Sequence, residues 1–128
     1  MKTLLKALLI TALLTLSASF AQTLTGNFVG ADAIHQGSGS FQLVEEDGER
    51  FIELSEDFSS TRGPDLFVWI VNGDDTEDRV NLGRLQSARG AQRYALPADV
   101  NLDDYDRVII WCRTFRVLFS TAEFIQAE

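Results

Sequence analysis

Residues 65–71 read DLFVWIV, and every residue after Asp65 in this run is apolar. β-branched and aromatic side chains favour strands, and successive side chains of a strand point to opposite faces of the sheet. Because both faces of this run are apolar, we expect a central strand that is covered on both sides. The preceding Gly63 and Pro64 predict a rigid turn that begins the strand, since proline has no backbone N–H for a sheet ladder.

Six further stretches of the chain carry strand signals. They are short, rich in β-branched or aromatic residues and separated by turn-forming residues, and their ranges are 23–30, 38–46, 50–55, 90–96, 105–113 and 115–124. Asp47 and Gly48 predict a hairpin turn. Residues 71–80, VNGDDTEDRV, predict a longer acidic loop. The close spacing of the strands predicts an all-β fold, either a single antiparallel β-sandwich or a related barrel.

The N-terminal residues 1–21, MKTLLKALLITALLTLSASFA, have the layout of a secretory signal peptide. Lys2 and Lys6 form a short positive region, an apolar stretch follows, and small residues lead to Ala21. The apolar stretch is shorter than the roughly 20 residues of a membrane-spanning helix. We therefore expect cleavage after Ala21 and a secreted or periplasmic domain over residues 22–128. The alternative is an uncleaved N-terminal anchor, which also places the domain outside the cytoplasm.

The chain is acidic, with a formal net charge of −8 that becomes −10 without Lys2 and Lys6. Such a domain is repelled by phosphate backbones and by anionic membrane surfaces, so we expect no nucleic-acid partner. The acids of the 71–80 segment do not have the spacing of an EF-hand loop. A solvated acidic loop is therefore favoured over a calcium site, and no metal site is expected.

Alternation predicts which side chains share a face around Cys112, the only cysteine in the chain. The uncharged face, which we expect to be the core, carries Val108, Ile110, Cys112 and Thr114. The opposite face carries Arg107, Ile109, Trp111 and Arg113. Further along the chain, one apolar face carries Phe115, Val117 and Phe119. We accordingly expect Cys112 to point inward from the penultimate strand.

A single cysteine in a secreted domain has four interpretations. Cys112 is a buried packing residue, a link between two chains, a redox-active thiol, or the ligand of a metal or cofactor. A redox thiol reacts as its thiolate, and the apolar neighbours on the core face disfavour that charged form. The sequence alone does not decide among these four interpretations of Cys112.

Composition removes most cofactor sites at Cys112. A blue-copper site needs two histidines, but the chain has only His35. Iron–sulfur clusters, covalently attached haem and closed zinc sites need more cysteine or histidine ligands. What remains is a bare thiol, or a haem held by Cys112 with His35 opposite, and we expect these two residues within a side chain's reach. The alternative for His35 is a loop histidine that hydrogen-bonds backbone groups. No hydrolase or phosphate-loop motif is present, so a classical enzyme is not expected.

Four spaced blocks of the chain resemble the DM-thirteen domain, also called the electron-transfer DM domain, which occurs beside DOMON domains in animals and alone in secreted bacterial proteins. The blocks are GNFVG with His35 and GSGSFQL, DFSSTRGPDLFVWI, NLGRLQSARGAQRYALP, and YDRVIIWCRTFRVLFSTAEF. The resemblance implies a role in electron transfer or redox chemistry, with a redox or protein partner that it does not identify. It also implies that the family's characteristic cysteine, as free thiol or haem ligand, is Cys112, and that the family's histidine is His35. Ser120 lies where many members carry glycine.

Overall fold

The computed structural model describes residues 23–126, which form an all-β domain. The strands are β1 (Leu24–Gly30), β2 (Gly37–Ser38), β3 (Ser40–Glu46), β4 (Glu49–Leu54), β5 (Ser59–Ser60), β6 (Leu66–Asn72), β7 (Asp75–Arg84), β8 (Gln92–Leu96), β9 (Arg107–Cys112), β10 (Val117–Glu123) and β11 (Ile125–Gln126). One 3-10 turn spans Leu102–Asp104. The expected signal peptide, 1–21, lies outside the described residues. Within residues 23–126 there is no helix of the length and apolar character that crossing a membrane requires.

The main sheet is antiparallel and nearly closes on itself. Its strand order is β7-β6-β9-β10-β1-β3-β4-β8, with β11 pairing to β1, while β2 and β5 form a small separate sheet. The first and last strands of this order, β7 and β8, lie close together. The prediction of a single antiparallel sandwich or related barrel is therefore confirmed, and the barrel form describes it best.

The interior of the barrel is filled by alternate residues of each strand. Strand β6 is buried from Leu66 to Val71, as expected for a central strand covered on both sides. Val108, Ile110 and Cys112 of β9 all point into the main core, so the inward direction predicted for Cys112 is confirmed. Asp47 and Gly48 form the tip of the β3–β4 hairpin, and both have positive φ angles, of 52° and 81°. Positive φ at both central residues is what a two-residue hairpin turn of the favoured type requires.

Residues 71–80 were expected to be a loop, and this expectation is wrong. A short turn with Gly73 at φ 60° leads into β7, a ten-residue strand that pairs with β6 along the edge of the sheet. Charged side chains are tolerated there because one side of an edge strand faces solvent.

The expectations for the segment after Cys112 are also partly wrong. Residues 113–116 form an exposed turn, with Arg116 at φ 55°, so Thr114 does not continue the core face. Phe115 is 67% exposed and does not share a buried face with Phe119. A register shift between Leu118 and Ser120 then resets the alternation in β10. Cys112 is not in the penultimate strand, because the two-residue β11 follows β10.

A second apolar cluster covers the outer face of β6 and β9. It contains the buried residues Phe67, Trp69, Val71 and Ile109, with Trp111 and Leu118 packed against them. Three guanidinium groups lie over its aromatic rings. Arg79 lies 4.3 Å from the centroid of Trp69, while Arg84 and Arg113 lie 5.0 and 4.6 Å from that of Phe67. Arginine side chains thus cover aromatic surface that water would otherwise contact.

Candidate functional site

Cys112 is a free cysteine at the last position of β9. Its Cα partners are Leu66 on β6 and Val117 on β10, and its side chain is 1% exposed. The next four residues form the exposed turn 113–116. The thiol is therefore buried, but it lies at a strand end, one residue from the surface.

Asp65 ties this turn to the start of β6. Its backbone oxygen accepts a hydrogen bond from the Arg113 N–H over 3.0 Å. Its carboxylate accepts from the Thr114 hydroxyl over 2.7 Å and from Arg113 Nε over 3.3 Å, and it pairs with Arg84 over 2.9 Å. The Thr114 hydrogen bond, together with the charges of Arg113 and Arg84, lowers the pKa of Asp65 from its ordinary 3.8. Asp65 is therefore an ionised, largely buried anchor beside Cys112.

On the sequence alone, Asp65 is only the polar residue at the start of the apolar run 65–71. A signal for its role was present, because an acid directly before a fully apolar central strand is drawn into the interior and then needs partners there. Its partners Arg113 and Thr114 are 48 and 49 residues away along the chain. They were not identifiable without the fold.

His35 lies in the loop between β1 and β2, and its hydrogen bonds go to Asp32. Its ring Nδ1 is 2.9 Å from the Asp32 carboxylate, and its backbone N–H donates to the same group over 2.7 Å. The side-chain hydrogen bond lowers the pKa of Asp32 from 3.8 to about 2. The His35 ring also lies 4.5 Å, between centroids, from Phe119, which belongs to the same core cluster as Cys112. His35 thus holds its loop together and rests on the rim of the core.

The packing at Cys112 does not fit a haem. The side chain is fully buried among apolar core residues, so its sulfur has no open face for a porphyrin. His35 uses Nδ1 for its hydrogen bond to Asp32, and a histidine that ligates through Nε2 commonly has such a partner, so the misfit lies at Cys112 and not at His35. Within residues 23–126 no group of three or more His, Cys, Asp or Glu side chains is arranged to hold a metal ion.

The outer face next to Cys112 carries the two tryptophans. Trp69 and Trp111 are stacked with their ring centroids 5.5 Å apart and their planes 23° apart. Trp69 is 3% exposed, whereas Trp111 is only partly buried. Trp111 therefore points outward, on the face opposite to Cys112, as alternation predicts.

Comparison with known protein families identifies the family of this chain. The family model described as Electron transfer DM13 matches residues 27–124, which include Asp65, Cys112 and His35. No curated protein and no solved structure matches the chain. Because the family model covers most of the chain, the protein belongs to the Electron transfer DM13 family.

Proposed function

We propose that this domain is a secreted or periplasmic electron-transfer module whose redox group is the thiol of Cys112. The observation that carries the proposal is the position of this thiol: the only cysteine of an Electron transfer DM13 chain ends a strand directly beside a surface turn. The extracytoplasmic location rests on the signal-peptide pattern of residues 1–21.

The chemistry that one thiol supports is exchange with a disulfide. The Cys112 thiolate attacks one sulfur of the partner disulfide, a new sulfur–sulfur bond forms, and the second partner sulfur leaves as a thiolate. Cys112 is oxidised and the leaving sulfur is reduced, so electrons balance without a further reactant. A second thiol then attacks the partner sulfur of this mixed disulfide, forms a new disulfide with it and releases Cys112 as its thiolate.

We infer that access to the thiol comes through movement of the turn 113–116, because this exposed turn directly follows Cys112 at the end of β9. The turn makes few apolar contacts, since all four of its residues are exposed. The polar interactions that hold it go to Asp65, through Arg113 and Thr114, and the Arg113 guanidinium also lies over the Phe67 ring. Segments with few buried contacts open at lower free energy than the whole domain unfolds. Opening of this turn is therefore the route by which a buried thiol meets its partner.

The test uses dithiodipyridine, a disulfide whose leaving thione is detected by its absorbance. We expect folded protein to release one equivalent of thione per chain, and an added thiol to restore the free cysteine with the fold intact. Cys112→Ser is the control and should release none. Folded protein that releases no thione until it is denatured would contradict the proposal.

An absorption spectrum of protein purified from its native compartment tests the haem form of the same proposal. The core packing of Cys112 leads us to expect no Soret band. A Soret band that disappears in Cys112→Ser would show that the core rearranges to bind haem, and would replace the bare-thiol mechanism.

The second candidate function is a non-catalytic binding or adhesion module in which Cys112 only fills the core. The observation that favours it is the 1% exposure of Cys112 within the main apolar cluster. Under this candidate, Cys112→Ala changes stability but not partner binding, and the thiol reacts only in unfolded protein.

A further inference from the structure

An open cavity of about 420 Å³ lies on the outer face of the barrel, between the start of β7 and the turn 113–116. Its lining includes both tryptophans and three arginines, Arg79, Arg113 and Arg116. Pockets that hold small ligands begin at about 300 Å³. The cavity is therefore large enough for a compound with a single ring.

The charge of this cavity contrasts with the charge of the chain. Apart from Lys2 and Lys6, the chain's cations are all arginines and its net charge is negative, yet three guanidinium groups converge here against one carboxylate, that of Glu77. Arg113 is paired with Asp65. Within residues 23–126, Arg79 has no carboxylate partner, and its guanidinium donates one hydrogen bond to the Thr76 carbonyl over 2.8 Å and lies over Trp69. In the same part of the chain, Arg116 forms neither a hydrogen bond nor an ion pair. Guanidinium groups bind carboxylates through paired hydrogen bonds, so the cavity favours an anion.

The tryptophans add a preference for a flat ring. Trp111 is partly buried and stacks on Trp69, which places an indole surface in the wall of the cavity. The indole N–H of Trp69 is buried and, in the described part of the chain, has no acceptor. Aromatic rings stack on indole and on guanidinium planes.

From this arrangement we propose that the cavity binds a small aromatic carboxylate. The carboxylate pairs with Arg116 and Arg79, and the ring lies against Trp111. This site goes beyond the thiol chemistry and does not rest on it, because Cys112 points to the opposite face of β9. Cys112→Ser is accordingly expected to bind the same ligand as the wild-type protein.

The test titrates the protein with phenylacetate and follows the indole N–H signals by NMR. Trp69 and Trp111 are the two tryptophans of the chain, so both signals report on the cavity. We expect both signals to shift, and phenylacetate to bind about tenfold more tightly than the neutral phenylacetamide, because the guanidinium pair requires a charge. Cyclohexylacetate, which keeps the charge without the aromatic ring, should bind several-fold more weakly.

Three variants locate the site. Arg116→Gln should weaken phenylacetate binding about tenfold, whereas Arg62→Gln, which removes an exposed arginine outside the cavity, should leave it unchanged. Glu77→Gln removes the opposing carboxylate and should strengthen binding a few-fold. A gain of this kind does not arise from misfolding.

Unmoved indole signals, equal binding of the amide, or equal binding of the saturated acid would each overturn the proposal. If Arg62→Gln weakens phenylacetate binding as much as Arg116→Gln does, the ligand is attracted only by positive charge in general, and the proposal is again overturned. A tetraglutamate peptide provides the last comparison. If the peptide binds and phenylacetate does not, the cavity is a contact for acidic protein segments and the small-ligand assignment is wrong.

Discussion

Ser120 is a residue whose side chain opposes the stability of the fold. It is 0% exposed, and its hydroxyl has no hydrogen-bond partner within residues 23–126. A buried polar group without a partner costs free energy, so Ser120→Ala should raise the free energy of unfolding by about 1 kcal/mol. Denaturant unfolding measures this change. Ser60→Ala is the matched control: its hydroxyl donates to the Thr61 carbonyl over 2.9 Å, so its loss should destabilise the protein. A destabilised Ser120→Ala would show that this hydroxyl does have a partner.

At the scale of the element, the turn 113–116 depends on the carboxylate of Asp65, the residue directly before β6. Asp65→Asn keeps the size of the side chain but removes the charge that pairs with Arg84 and Arg113. We expect the melting temperature to fall by several degrees and Cys112 in the folded protein to be alkylated faster. Asp99→Asn removes one exposed carboxylate elsewhere and should change neither quantity. Faster alkylation in both variants, or in neither, would contradict the role of Asp65 as the anchor of the turn.

The elements also show how far the sequence predicts this fold. Strands β6 and β9 were predictable because their apolar residues alternate or run without interruption, as burial in a barrel wall requires. Strand β7 was not, because its acids and the preceding glycine have the composition of a loop. Pairing with β6 makes it a strand, and its charges are tolerated at the sheet edge. The face of Cys112 followed from alternation, whereas the Asp65 contacts depend on tertiary packing.

The whole molecule should lose stability in acid. The pKa values of Asp65, Glu53, Asp106 and Asp32 are all lowered in the fold, chiefly by hydrogen bonds from Thr114, Arg93, Arg107 and His35. A carboxyl group whose pKa is lower in the folded protein than in the unfolded chain stabilises the fold. This contribution is complete above the pKa of the unfolded chain and is lost as pH falls through the pKa of the folded protein. We therefore expect the melting temperature to fall steeply below about pH 4. In Asp65→Asn this fall should be shallower. If the melting temperature instead increases as the pH is lowered to about 3, the lowered pKa values are contradicted.

The central claim is that Cys112 reacts without unfolding of the whole domain. The direct measurement is the alkylation rate of Cys112 in folded protein, divided by the rate in unfolded protein. This ratio is compared with the unfolding equilibrium constant from denaturant titration. If the turn opens locally, the ratio of alkylation rates exceeds the unfolding constant by about tenfold or more. At low denaturant concentrations the ratio then changes little with denaturant. A ratio equal to the unfolding constant at every denaturant concentration would make Cys112 a packing residue and contradict the claim.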